Sequence, residues 1–157
     1  MQSKRLPIAV LGVAFVVSAC GRTGSASDVP PPEVHTIDLA GELANYHGTV
    51  DLVTPKEAFA EVAMDDFFFT PTVIIGTPET EIRLTLRNTS RTKHNLTLEE
   101  LDIDVDVPPG GSRDIRVDVP RLGGYMFFCK YHAVSGMRGW IGNPGEPTAE
   151  LVGGDGG

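Results

Sequence analysis

Ile82-Arg83-Leu84-Thr85-Leu86-Arg87 alternates apolar and polar side chains with a period of two. Successive side chains of an extended chain point to opposite faces, so this stretch buries isoleucine and leucine and solvates arginine and threonine. The pattern recurs where Ala60, Val62 and Met64 alternate with Glu61, Ala63 and Asp65, and again in Leu96-Leu98, Ile103-Val105-Val107 and Ile115-Val117-Val119. Turn chemistry separates these segments at Gly76-Thr77-Pro78, Asn88-Thr89-Ser90, Pro108-Pro109-Gly110-Gly111 and Gly123-Gly124. No segment carries a long amphipathic helical period; Pro55-Lys56-Glu57-Ala58-Phe59 fits one short turn. The expected fold class is all-β, with antiparallel strands in a Greek-key β-sandwich.

One apolar run ends in chemistry. Tyr125-Met126-Phe127-Phe128 follows the Gly123-Gly124 turn and leads into Cys129, with His132 three residues on, Met137 five beyond that past Ser135-Gly136, and His94 far upstream beside Asn95. A thiolate at a strand end and two ligands in the following loop can fold over one metal, while His94 must come from another strand. Taken singly, a cysteine is a small buried hydrophobe, a methionine near a strand end is core, and a surface histidine is solvated. Taken together, a soft thiolate, two imidazoles and a weak thioether are what a mononuclear electron-transfer copper site requires. Zinc is the weaker alternative because its structural sites want four Cys or His ligands and rarely accept a thioether. A dinuclear copper centre is excluded by the single cysteine in the loop.

The spacing Cys-x-x-His-x-x-x-x-Met resembles the ligand loop of the cupredoxins, specifically plastocyanin-like type 1 (blue) copper proteins. The similarity extends through Met64-Asp65-Asp66-Phe67-Phe68-Phe69-Thr70-Pro71, Lys93-His94-Asn95-Leu96 and Gly136-Met137-Arg138-Gly139, roughly the last two-thirds of the chain. The resemblance implies a cupredoxin-like sandwich holding one copper ion through His94, Cys129, His132 and Met137. It also implies that Asn95, at the position where the family often has an asparagine, lies behind the ligands with its backbone near the thiolate. His35 and His47 carry no ligand-like spacing and are read as surface or edge-strand histidines.

The N-terminus has a separate logic. Lys4 and Arg5 precede an apolar stretch from Ile8 to Val17 and then Ser18-Ala19-Cys20. This is the pattern of an export signal over residues 1–19, too short to span a bilayer as a stable helix. Val17-Ser18-Ala19-Cys20 resembles a bacterial lipobox, which makes Cys20 the expected lipidated first residue of an exported, membrane-anchored lipoprotein on the extracytoplasmic side. A plain signal peptide before a free or disulfide-bonded Cys20 is the alternative, and pairing with Cys129 would destroy the metal site. Residues 20–33, with Gly, Ser and Pro30-Pro31-Pro32, read as a flexible tether, residues 34–142 as the domain with its core at about 58–142, and residues 143–157 as a flexible tail.

The formal charge is −8, and loss of Lys4 and Arg5 with the signal leaves −10. Such a chain is unsuited to nucleic acid, and membrane attachment falls to the lipid anchor. The acidic run from Glu99 to Asp106 reads as the solvated face of a strand, with steering of a basic partner as the alternative. No acid/base pair or second metal site is visible, so an enzyme is not expected. The expected function is one-electron transfer between a redox protein donor and acceptor. The alternatives are copper capture and delivery to a copper acceptor, and a metal-free interaction module, which would require ligand losses that the sequence does not have.

Overall fold

The computed structural model describes residues 35–53 and 58–144. The expected signal peptide, Cys20 with its tether, and residues 145–157 of the tail expected over 143–157 lie outside the described residues. Twelve strands are described: β1 (His35–Leu39), β2 (Glu42–Tyr46), β3 (Thr49–Leu52), β4 (Ala58–Asp65), β5 (Phe68–Thr70), β6 (Val73–Gly76), β7 (Glu81–Asn88), β8 (His94–Leu98), β9 (Ile103–Val107), β10 (Ser112–Asp118), β11 (Gly124–Phe128) and β12 (Arg138–Gly142). Ala58 and Phe59 belong to the start of β4 rather than to the short turn expected there.

Two sheets face each other, one ordered β10-β7-β4-β5 and the other β3-β6-β12-β11-β8-β9, as the all-β sandwich expectation requires. The chain crosses between them after β3, β5, β6, β7, β9 and β10, in the Greek-key manner. The antiparallel expectation holds only in part, because β4 runs parallel to β7 and β6 runs parallel to both β3 and β12. Alternation reports which face of a strand is buried and is silent on the direction of its neighbour. Once the chain switches sheets between sequential strands, like-directed strands become neighbours.

Register explains why the alternating segments make one core. Ala60 lies opposite Leu84 and Val62 opposite Leu86 across the β4–β7 pair, and Val117 lies opposite Ile82 across β10–β7. These inward side chains meet Ile74, Leu96, Leu98, Phe127 and Ile141 from the other sheet in a single buried cluster. Phe69 and Phe127 pack edge to face at 5.0 Å between ring centroids, an arrangement that adds about 0.5–1.5 kcal/mol beyond area burial.

Residues 35–53, whose sequence shows no clear alternation, are structured. Strands β1 and β2 form a hairpin whose central residues Ala40 and Gly41 both have positive φ, +55° and +91°. That conformation matches the right-handed twist of the flanking strands. Ile37, Leu39 and Ala44 of the hairpin bury against Val73 and Trp140 in a second, smaller cluster. The buried core thus reaches well upstream of residue 58.

Candidate metal centre

The loop between β11 and β12 is closed by its own backbone. Cys129 N–H donates to the Met137 carbonyl at 3.0 Å, continuing the ladder beyond the Phe128–Arg138 pair, and Met137 N–H donates back to His132 at 3.3 Å. Ala133–Ser135 forms a single 3-10 turn that ends at Gly136 with φ +79°, a left-handed conformation suited to glycine. Cys129 and Met137 thereby face the core at 0% exposure, while His132 stays part-exposed on the loop. His94 opens β8, the strand next to β11, and is fully buried.

These elements bring three of the four expected ligands together. The ring nitrogens of His94 and His132 and the sulfur of Cys129 lie within 4.8 Å of one another, the one such cluster among the described residues. Cys129 Sγ is 3.4 Å from His132 Nδ1 and 4.0 Å from His94 Nδ1. Metal bonds of about 2.3 Å to sulfur and 2.0 Å to nitrogen place neighbouring donors roughly 3.5–3.7 Å apart in tetrahedral or trigonal geometry. The observed separations bracket that spacing, so the donor set fits a thiolate-imidazole metal. Met137 is buried, and its backbone is joined to Cys129 and His132.

The tautomer of His94 is set by its other nitrogen. Nε2 lies 3.0 Å from Asp66 Oδ1 and 2.9 Å from Ser90 Oγ. A carboxylate oxygen only accepts, so Nε2 carries the proton and the lone pair of Nδ1 is left facing Cys129. Burial holds the imidazole below its ordinary pKa, neighbouring His132 lowers it further, and Asp66 partly opposes both. A neutral ring is the form that ligates.

Asn95 is fully buried and ties the site together from behind. Its Nδ2 donates to Asp104 at 2.6 Å and Asp106 at 3.2 Å, and its Oδ1 accepts from Thr97 Oγ1 at 2.6 Å and from Lys130 N–H at 3.3 Å, one residue past the thiol. Asp104 and Asp106, part of the acidic run, are exposed but paired: Lys130 bridges both, while Lys93 and Tyr131 hold Asp106. The hydrogen bond from Lys93, then that from Tyr131, holds the Asp106 carboxyl down at about 2. The solvated-face reading therefore gains a second role, an ion-pair lattice that pins the loop to β9.

Residues beyond the expected ligands also hold the site. Asn45 on β2 donates from its backbone to Gly136 at 2.9 Å and from Nδ2 to Ser135 at 2.8 Å and Phe67 at 2.9 Å, so the hairpin clamps the ligand loop. Arg138 adds an ion pair to Glu42 at 3.0 Å and a hydrogen bond to the Ala133 carbonyl. The Phe67 ring covers His132 with centroids 4.5 Å apart. His47 stacks on Phe68 at 3.5 Å, and neither it nor His35 enters the donor cluster.

Comparison with known proteins agrees with this architecture. A family model described as the Cupredoxin-like domain matches residues 44–141, more than half of the chain. No curated protein matches the chain. Among solved structures, the metal-binding domain of the Cu(I)-exporting P-type ATPase CopA from Streptococcus pneumoniae superposes with a TM-score of 0.52 at 14% identity, covering 60% of this chain and 94% of that one, and so shares the fold. Reduced auracyanin from Roseiflexus castenholzii gives 0.48 at 20% identity, covering 57% of this chain and 98% of that one. A mutant fern plastocyanin gives 0.42 at 21% identity, covering 54% and 99%.

Proposed function

The chain belongs to the cupredoxin-like domain family, and we propose that it is an electron carrier that holds one copper ion through His94, Cys129, His132 and Met137. The observation that carries this reading is the convergence of a buried thiol and two imidazole Nδ1 atoms within 4.8 Å, with the far nitrogen of His94 already engaged. When bound, copper supplies a one-electron couple that a thiolate, two imidazoles and a weak thioether tune. The chain's own part is to hold these donors still. Cys129 and His94 are buried at strand ends, the loop is closed by backbone hydrogen bonds, and the Phe67 ring packs against His132.

Copper titration followed by voltammetry tests the reading. An intense thiolate-to-copper band with fast, reversible cycling supports the carrier. Tight Cu(I) binding that passes to acceptors without such cycling identifies copper delivery instead.

In this reading electrons pass through the edge of His132. It is the part-exposed histidine, flanked by Val134 at 98% exposure, Tyr131 at 40% and Phe67 at 37%. A small apolar patch gives the weak, quickly released contact that transient redox partners use, burying less than about 1,200 Å². Val134→Asp places a charge there without touching a ligand. Electron self-exchange is expected to slow roughly tenfold, the equivalent of about 1.4 kcal/mol, because like charges then meet across the contact. The visible spectrum and the potential stay the same. An unchanged exchange rate would mean that electrons leave elsewhere.

We further infer an exported lipoprotein anchored by acyl chains on Cys20 to the outer face of a bacterial membrane, a reading supported by the Val17-Ser18-Ala19-Cys20 pattern. Among the described residues no helix is long and apolar enough to cross a membrane. Mass spectrometry of the native N-terminus is expected to find a diacylated or triacylated Cys20, since one chain anchors only marginally. An unmodified Cys20 removes the anchor.

A further inference from the structure

The turn between β4 and β5 carries a charge that the donor set does not need for ligation. Asp66 presents Oδ1 to Nε2 of His94 at 3.0 Å and Oδ2 to the hydroxyl of Thr92 at 3.3 Å, so both oxygens of the carboxylate are oriented. The carboxylate is 40% exposed while the His94 side chain is wholly buried. Its negative charge therefore reaches the donor cluster through an imidazole packed in protein, where screening by water is weakest. Ser90 shares the same nitrogen at 2.9 Å but is neutral and is itself held by Asn88 and Thr92. Orientation of His94 thus has two supports, and only one of them brings a charge.

Resting on the reading of this site as a redox copper centre, we propose that Asp66 is a positioning residue that sets the reduction potential: its carboxylate, acting through the His94 ring, favours the oxidised metal. A carboxylate bonded to the outer nitrogen makes the inner nitrogen a stronger donor, and a stronger donor stabilises the more highly charged ion. One electron enters from the redox partner and leaves to the next. The proton on Nε2 stays in place throughout, so the effect is electrostatic and needs no proton exchange.

The test compares Asp66→Asn, which keeps an acceptor of the same shape and deletes the charge, with Ser90→Ala, which deletes a neutral support. In Asp66→Asn the midpoint potential is expected to move positive and Cu(II) affinity to fall about tenfold, the range seen when outer partners of a metal-binding histidine are lost. The thiolate band should keep its position and the apo protein its melting temperature. Ser90→Ala should move the potential much less. An Asp66→Asn potential equal to that of the parent, or a shift no larger than that of Ser90→Ala, overturns the proposal. Nitrogen-15 NMR of the apo protein gives a readout free of copper: His94 should be the Nε2–H tautomer in the parent and in Asp66→Asn, and an Nδ1–H tautomer in the parent would also overturn it. Co(II) affinity separates the two levels of inference. If the parent shows no thiolate-to-copper band, the redox reading fails by itself, while a Co(II) affinity that still drops in Asp66→Asn upholds the carboxylate's action on His94.

Discussion

Cys129→Ser is expected to abolish the intense visible band of the copper-loaded protein. The band belongs to charge transfer from thiolate to metal, and Cys129 is the only sulfur of that kind in the cluster. Serine is close to isosteric, so the buried site at the end of β11 stays packed and the protein stays folded. Its hydroxyl is a poor replacement for a soft anionic donor, and the remaining imidazoles leave a weak, pale site. Absorbance and electron paramagnetic resonance of the copper-titrated variant check this; an unchanged spectrum would sink the assignment. Met137→Leu gives the contrasting result. The loop closure at Met137 is made by backbone atoms, so leucine keeps the loop closed and removes only the thioether. Copper should remain bound, with a higher potential, because loss of a donor destabilises Cu(II) more than Cu(I).

The two kinds of signal in this chain differ in how far they reach. Period-two alternation is local, and it located β4, β7, β8, β9 and β10, although β8 proves buried on both faces where it carries His94 and Asn95. Neighbour direction is not local, so the parallel pairing of β4 with β7 was invisible. The hairpin β1–β2 was illegible for another reason: Ile37, Leu39 and Ala44 bury against Val73 and Trp140, a small cluster set apart from the main core. At the site, Cys129, His132 and Met137 were readable because one loop carries them at fixed spacing, and His94 because an asparagine follows it. Asp66 acts through hydrogen bonds across 26 and 28 residues, Ser90 through one across 4 residues, and the Asn45 side chain through two across 22 and 90 residues. Polar residues of these types are common in turns for local reasons, and nothing in their spacing marks a distant partner.

Gly139→Ala is expected to be the most destabilising single-methyl change near the site. Gly139 lies on β12 directly opposite Phe127 of β11. A Cβ there would overlap the Phe127 ring and stand 2.6 Å from the Thr72 carbonyl oxygen. Neither neighbour can yield easily. The Thr72 carbonyl accepts Trp140 N–H at 2.9 Å, and the Phe127 ring is held against Phe69 in the core that also contains Cys129. Overpacking of this kind costs about 1–3 kcal/mol, and at roughly 4–8 °C per kcal/mol the melting temperature should fall by about 4–24 °C. Gly110→Ala separates sterics from backbone strain: φ is +67° and nothing lies within 4 Å, so its cost should stay near 1 kcal/mol, about that of one left-handed residue. Thermal melts of the two apo variants make the comparison, and a Gly139→Ala loss no greater than that of Gly110→Ala would refute the contact. Because the clash is with one ring, Gly139→Ala combined with Phe127→Leu should lose less stability than the two single changes summed, by about 0.5 kcal/mol or more, the coupling expected of residues that share a contact.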